Sequence, residues 1–319
     1  MDDLIKSAEI ALRDCMALDK NETLLVLTDD RTTEIGQALF QVGKKLSRES
    51  ALLVMPEREV NGQEPPAEIA DMMKKYNVVI CPTQKSLTHT DARRSACKAG
   101  ARVATMPGIS KEVMIRTLQA DYQQIAQRTY HLSSLLDTAE QVRVTTEKGT
   151  DILLPVKGIK AISSTGLVTE KGSFGNLPSG ESYLMPVEGA SNGIIVVDGS
   201  FAGVGKIGKK PIRISVEKGF AITIEGGREA KQLRTLLQPL GKEAYNIAEL
   251  GIGTNDKAIV TGQILEDEKV MGTVHIALGN NVTMGGTFNV PIHLDGVIKK
   301  PTVYLDNKLL MKNGKLMVA

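Results

Sequence analysis

The rhythm of hydrophobic and polar positions changes once along this chain, near residue 140. Before that point, continuous apolar runs alternate with segments of helical period. Residues 2 to 18 place Leu4, Ile5, Ala8, Ala11 and Leu12 on one face, which predicts a helix. The run TLLVLT, Thr23 to Thr28, predicts a buried strand ending at Asp29-Asp30. A helix over 33–47 and a strand over 51–55 follow. Pro65-Pro66 launch a helix that ends near Lys75, and VVICPT, Val78 to Thr83, reads as a third strand. The next helix is capped by Thr88, Thr90 or Asp91. RVAT, Arg102 to Thr105, is a fourth strand stopped by Pro107-Gly108, and one helical segment over 111–138 closes this half. Strand and helix in alternation with short connections predict an α/β layer built on a parallel sheet.

From Gln141 onward, short alternating runs are separated by Gly, Pro, Asn and Asp. Stretches such as VRVTTEKGTDILLPV and PIRISVEKGFAITIEGG predict hairpins, with a turn at Val216 to Phe220. One helix, Arg228 to Leu240, interrupts them. The expected architecture is α/β overall: a parallel-sheet α/β domain over 1–140 and a β-rich α+β domain over 141–319. No internal repeat is visible.

In the second half, ionisable residues sit inside strands that are otherwise apolar. In TVHIALG, Val274, Ile276 and Leu278 share one face, and Thr273, His275 and Ala277 share the other. In VPIHLDGV, Ile292 and Leu294 face one way, His293 and Asp295 the other. In YNIAELGIGTN, Glu249 stands opposite Ala248, Leu250 and Ile252. A carboxylate in such a run costs several kcal/mol, on the order of the usual penalty for a buried unpaired charge, so it calls for a cation. Two imidazoles and a carboxylate on rigid strands outline a metal site. Gly279, Gly285 and Gly286 suit a tight turn or bulge between the histidine strands. The loop-like stretch FGNLPSGESYLMP adds Glu181, and the run Leu265 to Lys269 adds Glu268 or Glu266. Three ligands suit one metal. Five or six suit two metals sharing a carboxylate, about 3.5–4 Å apart.

Composition narrows the remaining possibilities. The net charge of +2 gives no footing for general nucleic-acid or membrane binding. Aromatics are 3% of the chain, with no tryptophan, which disfavours base-stacking platforms. The turn after the first strand has no Gly-rich phosphate loop. Cys15, Cys81 and Cys97 form no CxxC and read as reduced core thiols, and the N-terminus lacks a signal-peptide pattern, so a cytoplasmic protein is expected. His89 and Arg93 follow the third strand, where α/β sheets place ligands, and are candidate cleft residues.

The segments GNLPSGE, AELGIGTN, DEKVMGTVHIALG and IHLDGVI resemble the thermophilic metalloaminopeptidase family of the leucyl aminopeptidase T type. That resemblance implies a binuclear site of zinc, cobalt or manganese held by Glu181, Glu249, Glu268, His275, His293 and Asp295. It implies release of N-terminal amino acids from small peptides by metal-activated water, with Glu249 as proton shuttle where it does not bridge, and a homodimer. The family carries a tyrosine seven residues after its histidine, where this chain has Val282; Tyr183, Tyr245 and Tyr304 are the candidates to replace it. The spacing from Glu268 to His275 is also two residues longer than in the family. The same resemblance reaches a 2,5-dihydroxypyridine dioxygenase. It implies, as the alternative, a single Fe(II) held by His275, His293 and Asp295. A metal-binding protein without turnover is the third reading.

Overall fold

The computed structural model describes residues 2–317. The chain divides into two compact units, 1–126 with 164–179 and 127–163 with 180–319.

The first unit carries a five-stranded sheet in the order 49–55, 23–29, 78–83, 102–107 and 174–176, every neighbouring pair parallel. Its three inner strands are buried almost throughout, as strands covered on both sides require, and the two edge strands are partly exposed. Leu25, Leu27, Val79, Cys81 and Val103 form one core with Met55, Met73 and Leu87. The first helix starts at Asp3, with Asp2 as its cap, and runs through wider π turns to Cys15. Of the three candidate caps Thr88, Thr90 and Asp91, the helix Asp91–Lys98 uses Thr90, whose hydroxyl accepts from the backbone N–H of Arg93. The long helix expected over 111–138 is two helices, Lys111–Leu118 and Tyr122–Leu136. Asp121 explains the break: its carboxylate accepts from the N–H groups of Gln123 and Gln124 and so caps a new helix. Phe174–Asn176, expected as loop, adds a fifth strand beside Val103–Thr105.

The second unit holds two largely antiparallel sheets. One has eight strands, in the order 220–225, 212–217, 192–197, 151–155, 141–145, 302–305, 308–312 and 315–316. The predicted hairpin turns at Lys218-Gly219, both with positive φ, the geometry that a two-residue turn between twisted strands needs. The other sheet has seven strands, in the order 205–206, 200–201, 293–299, 273–279, 247–253, 181–184 and 162–164. Val142, Ile152 and Ile214 of the first sheet join Leu250, Val274, Ile276 and Ile298 of the second in one core. The apolar faces read from the sequence are therefore the faces that pack. Their reverse side carries the ionisable residues.

Candidate metal centre

Four adjacent strands build the site, and their register decides which side chains meet. His275 lies opposite Gly251 and Val297, Glu249 and Asp295 lie opposite Ala277, and His293 lies opposite Gly279. Glu181 lies opposite Gly253, and Tyr183 opposite Gly251. Alternation then puts Glu181, Tyr183, Glu249, His275, His293 and Asp295 on one face, among residues with little or no side chain. The small residues make the space. A Cβ on Gly251 would sit 2.0 Å from Nε2 of His275, so only glycine leaves room for that ring. A Cβ on Gly253 would sit 2.2 Å from the carbonyl oxygen of Val270, where the loop bearing Lys269 crosses the strand.

The ionisable groups form one continuous chain of contacts. Oε1 of Glu249 is 3.2 Å from Nε2 of His275, and its Oε2 is 3.4 Å from Nε2 of His293. Nε2 of His293 is also 3.5 Å from Oδ1 of Asp295. On the other side, Nε2 of His275 is 3.4 Å from Oε2 of Glu181. Oε1 of Glu181 accepts from the ammonium of Lys269 at 2.6 Å, and Lys269 also donates to Oε1 of Glu268. The His293 ring is oriented from behind: its Nδ1–H donates to the carbonyl of Asn280 at 2.7 Å, which directs Nε2 toward the acids. Within this cluster Oε2 of Glu181 and Oδ1 of Asp295 are buried and lack hydrogen-bond partners. Donor atoms of Glu249, His293 and Asp295 all lie within 4.8 Å of one another, as the ligands of one small cation must.

The electrostatics describe a pocket that needs positive charge. Burial alone would favour neutral imidazoles, yet the surrounding carboxylates raise His275 to about 9 and His293 well above its ordinary range. Burial likewise opposes ionisation of Glu249 and Asp295, but their histidine neighbours hold both below the usual carboxylate range. Lys269 is 1% exposed, and the attraction of Glu181 and Glu268 overrides its burial and keeps it charged. Burial pushes Glu268 up to about 8 despite Lys269 beside it. His293 forms the solvent side of the cluster, its side chain 33% exposed, whereas Glu181, Glu249 and Asp295 are buried.

All six residues singled out as ligands in the sequence thus belong to one cluster. Glu268, rather than Glu266, reaches it: Glu266 accepts from the N–H of Ile259, and Asp267 ties down Thr261 and Gly262. Of the three tyrosines, only Tyr183 stands on the site's face, where burial, followed by the field of Glu181 and Glu249, keeps its phenol protonated. Tyr245 lines a separate groove with Phe220 and Arg234, and Tyr304 pairs with Arg143 at the far sheet. Val282 lies half-exposed in a short 3-10 turn, within a broad loop rather than the tight turn expected between the histidine strands. His89 and Arg93 belong to the first unit, where Arg93 donates to the Thr88 carbonyl and stacks 3.8 Å over Phe174. Lys269 and Asn280 are the members that sequence reading missed. Lys269 sits in a run of charges that looks solvated, and only its position just ahead of Val-Met-Gly hints at burial.

The fold has counterparts in known proteins. A curated 2,5-dihydroxypyridine 5,6-dioxygenase of Pseudomonas putida KT2440 is 28% identical over 250 residues, 72% of this chain and 69% of that protein. The solved structure of 2,5-dihydroxypyridine dioxygenase from Pseudomonas putida KT2440 superposes with a TM-score of 0.85 at 22% identity, covering 99% of this chain and 97% of that one. Wild-type AmpT from Thermus thermophilus superposes with a TM-score of 0.72 at 16% identity over 99% of both chains, a likeness of fold. These findings correct the aminopeptidase reading. The resemblance to the aminopeptidase T type is one of architecture, and the assignments as hydrolase, protease and metalloaminopeptidase are overturned by a match to oxygenases. The physical reason lies in the cluster. Two of the six residues expected to hold a metal pair, Glu181 and Glu268, contact the ammonium of Lys269, and the position of the family's tyrosine is the half-exposed Val282. No helix among the described residues is long and apolar enough to cross a membrane. The family description NicX, 2,5-dihydroxypyridine 5,6-dioxygenase, matches residues 3–318, and the chain belongs to that family.

Proposed function

We propose that this chain is a single-iron dioxygenase that opens a dihydroxylated pyridine ring, with His275, His293 and Asp295 holding the metal. The observation that carries this reading is a contiguous set of donors on one sheet face: Glu249, His293 and Asp295 lie within the reach of one small cation, and Nε2 of His275 joins them through Glu249. Family membership supplies the reaction class. The donor set fits iron: two imidazoles and one carboxylate form the facial triad of non-haem Fe(II) oxygenases. Bound there, Fe(II) supplies open coordination positions for dioxygen and for an electron-rich ring.

The chain's own residues do the rest. Asn280 fixes the His293 ring so that Nε2 faces the site. Glu249, kept ionised between the two imidazoles, is the acceptor for the proton that a ring hydroxyl gives up on binding. Tyr183, kept protonated, presents a phenol O–H on the same face as a donor to a ring substituent. Burial of the carboxylates keeps bulk water off the reacting face, and the exposed edge of His293 marks the open side.

The test is anaerobic reconstitution with Fe(II), followed by oxygen-electrode and absorbance assays on 2,5-dihydroxypyridine. The expected result is oxygen uptake mole for mole with ring loss, and no release from aminoacyl-nitroanilides. His293→Ala should lose both iron and turnover. Glu249→Gln should keep its iron and lose turnover. An iron-loaded wild-type protein that consumes no oxygen with this ring would sink the proposal.

A further inference from the structure

The mechanism leaves one group unexplained, the buried ammonium of Lys269. A lysine 1% exposed between two carboxyl groups is an uncommon arrangement, because taking an ammonium out of water costs more than most contacts return. Its place in the cluster is informative. Glu268, Lys269, Glu181, His275, Glu249, His293 and Asp295 follow one another in contact, so the acids extend well past the triad. Glu181 is 6% exposed and its Oε2 has no hydrogen-bond partner, although it points toward Nε2 of His275, 3.4 Å away. A buried carboxylate with one oxygen on an ammonium and the other unsatisfied is half of a cation site.

We propose that Lys269 is the fixed cation that limits this site to one metal: its ammonium takes the position of a second divalent ion between Glu181 and Glu268. This rests on the single-metal reading above. The chemistry favours such a substitution. Glu181, and Glu268 whenever it is ionised, need a positive partner in either case, since a carboxylate removed from water cannot be left unpaired. An ammonium provides charge and hydrogen bonds but no open coordination position, so it cannot activate water as a second metal would. The backbone at Lys269-Val270 crosses against Gly253, whose lack of a Cβ lets the loop lie close enough for the ammonium to reach Glu181. Lys269 is thus a positioning residue that holds Glu181 beside His275 without itself meeting the substrate.

Metal counting tests this independently of any turnover. Equilibrium dialysis of the chelator-stripped full chain against Mn(II) chloride, with metal analysis, should give one equivalent for the wild type. Its electron paramagnetic resonance spectrum should be that of an isolated Mn(II). Lys269→Met should gain a second equivalent and the spectrum of an exchange-coupled pair. Lys269→Arg should remain at one, and Lys269→Met combined with Glu181→Gln should return to one. Lys269→Gln, which can still donate to both acids, gives the same readout if the apolar replacement does not fold. Two equivalents in the wild type, or one in a folded Lys269→Met or Lys269→Gln protein, overturns the proposal. One Mn(II) in the wild type without ring cleavage on iron loading would leave it standing and overturn the dioxygenase reading alone.

Discussion

Two strands of this chain have the same burial and opposite chemistry. Thr23–Asp29 and Thr273–Gly279 are each buried at every position. The first, in the parallel sheet, is apolar on both faces through Leu24, Leu25, Val26 and Leu27, with Asp29 at its end capping the following turn. The second is apolar on one face only, and its other face carries His275 against Glu249 and Glu181. Burial alone therefore says little about what a strand is for. A strand covered by apolar layers is held by packing, and its sequence is free within the limits of volume. A strand that buries ionisable groups depends on those groups satisfying each other or a cation. The contrast is sharpest at the glycines, because Gly251 is small so that an imidazole fits and not for the sake of the backbone.

The largest effect expected from breaking this contrast is Gly251→Ala. The added methyl group would fall within 2.0–2.8 Å of three His275 ring atoms. The ring must swing out of line with His293 and Asp295, and metal affinity should fall by about 10–100-fold, as when a ligand loses its orientation. Dialysis against Fe(II) or Mn(II), with circular dichroism to confirm the fold, would measure it; unchanged affinity would remove the packing role assigned to Gly251. The counterpart in the other strand is Leu25→Ala. It should cost about 2–5 kcal/mol of stability in urea unfolding, the range for truncating a buried leucine. Metal content at low temperature should not change. Loss of metal in that variant would mean that the apolar strand and the site strand are not separate in function.

The same contrast explains what could be read from sequence. Apolar runs and period-2 alternation are local, so the parallel-sheet strands, the hairpin at Lys218-Gly219 and the polar face of the histidine strands were all legible. Glu181, Glu249, His275, His293 and Asp295 drew notice because each interrupts an apolar or turn-rich stretch. The strand Phe174–Asn176 was not legible. It is three residues long, and its partner lies about seventy residues away in sequence, at Val103. Lys269 was missed because its neighbours Glu266, Asp267 and Glu268 look like a solvated charge run, whereas each acid turns to a different donor of the fold. The hydrolase reading rested on the family resemblance, and Lys269 did not enter it. Val282, in the position of a family tyrosine, was the clue in the sequence that pointed away from the peptidase.

The smallest predicted effect is a pH dependence confined to the metal-free protein. In that state His275 faces Glu249, Glu181 and Asp295. Burial opposes its charge, but those acids raise it from 6.5 to about 9. A group whose pKa rises on folding adds stability that is fully present below its unfolded value, about 6.5, and is lost as pH climbs through the folded one. Chelator-treated wild-type protein should therefore melt at progressively lower temperature between about pH 6.5 and 9, by a few degrees. His275→Gln should show a flatter profile over that window. Metal reverses the sign, because it must displace the imidazole proton to bind, so apparent affinity rises with pH over the same range. Scanning calorimetry of both forms side by side would show the two slopes opposed. If the metal-free wild type and His275→Gln proteins ran parallel, His275 would not be the group that stores the charge, and the polar strand would owe its stability to packing as the apolar one does.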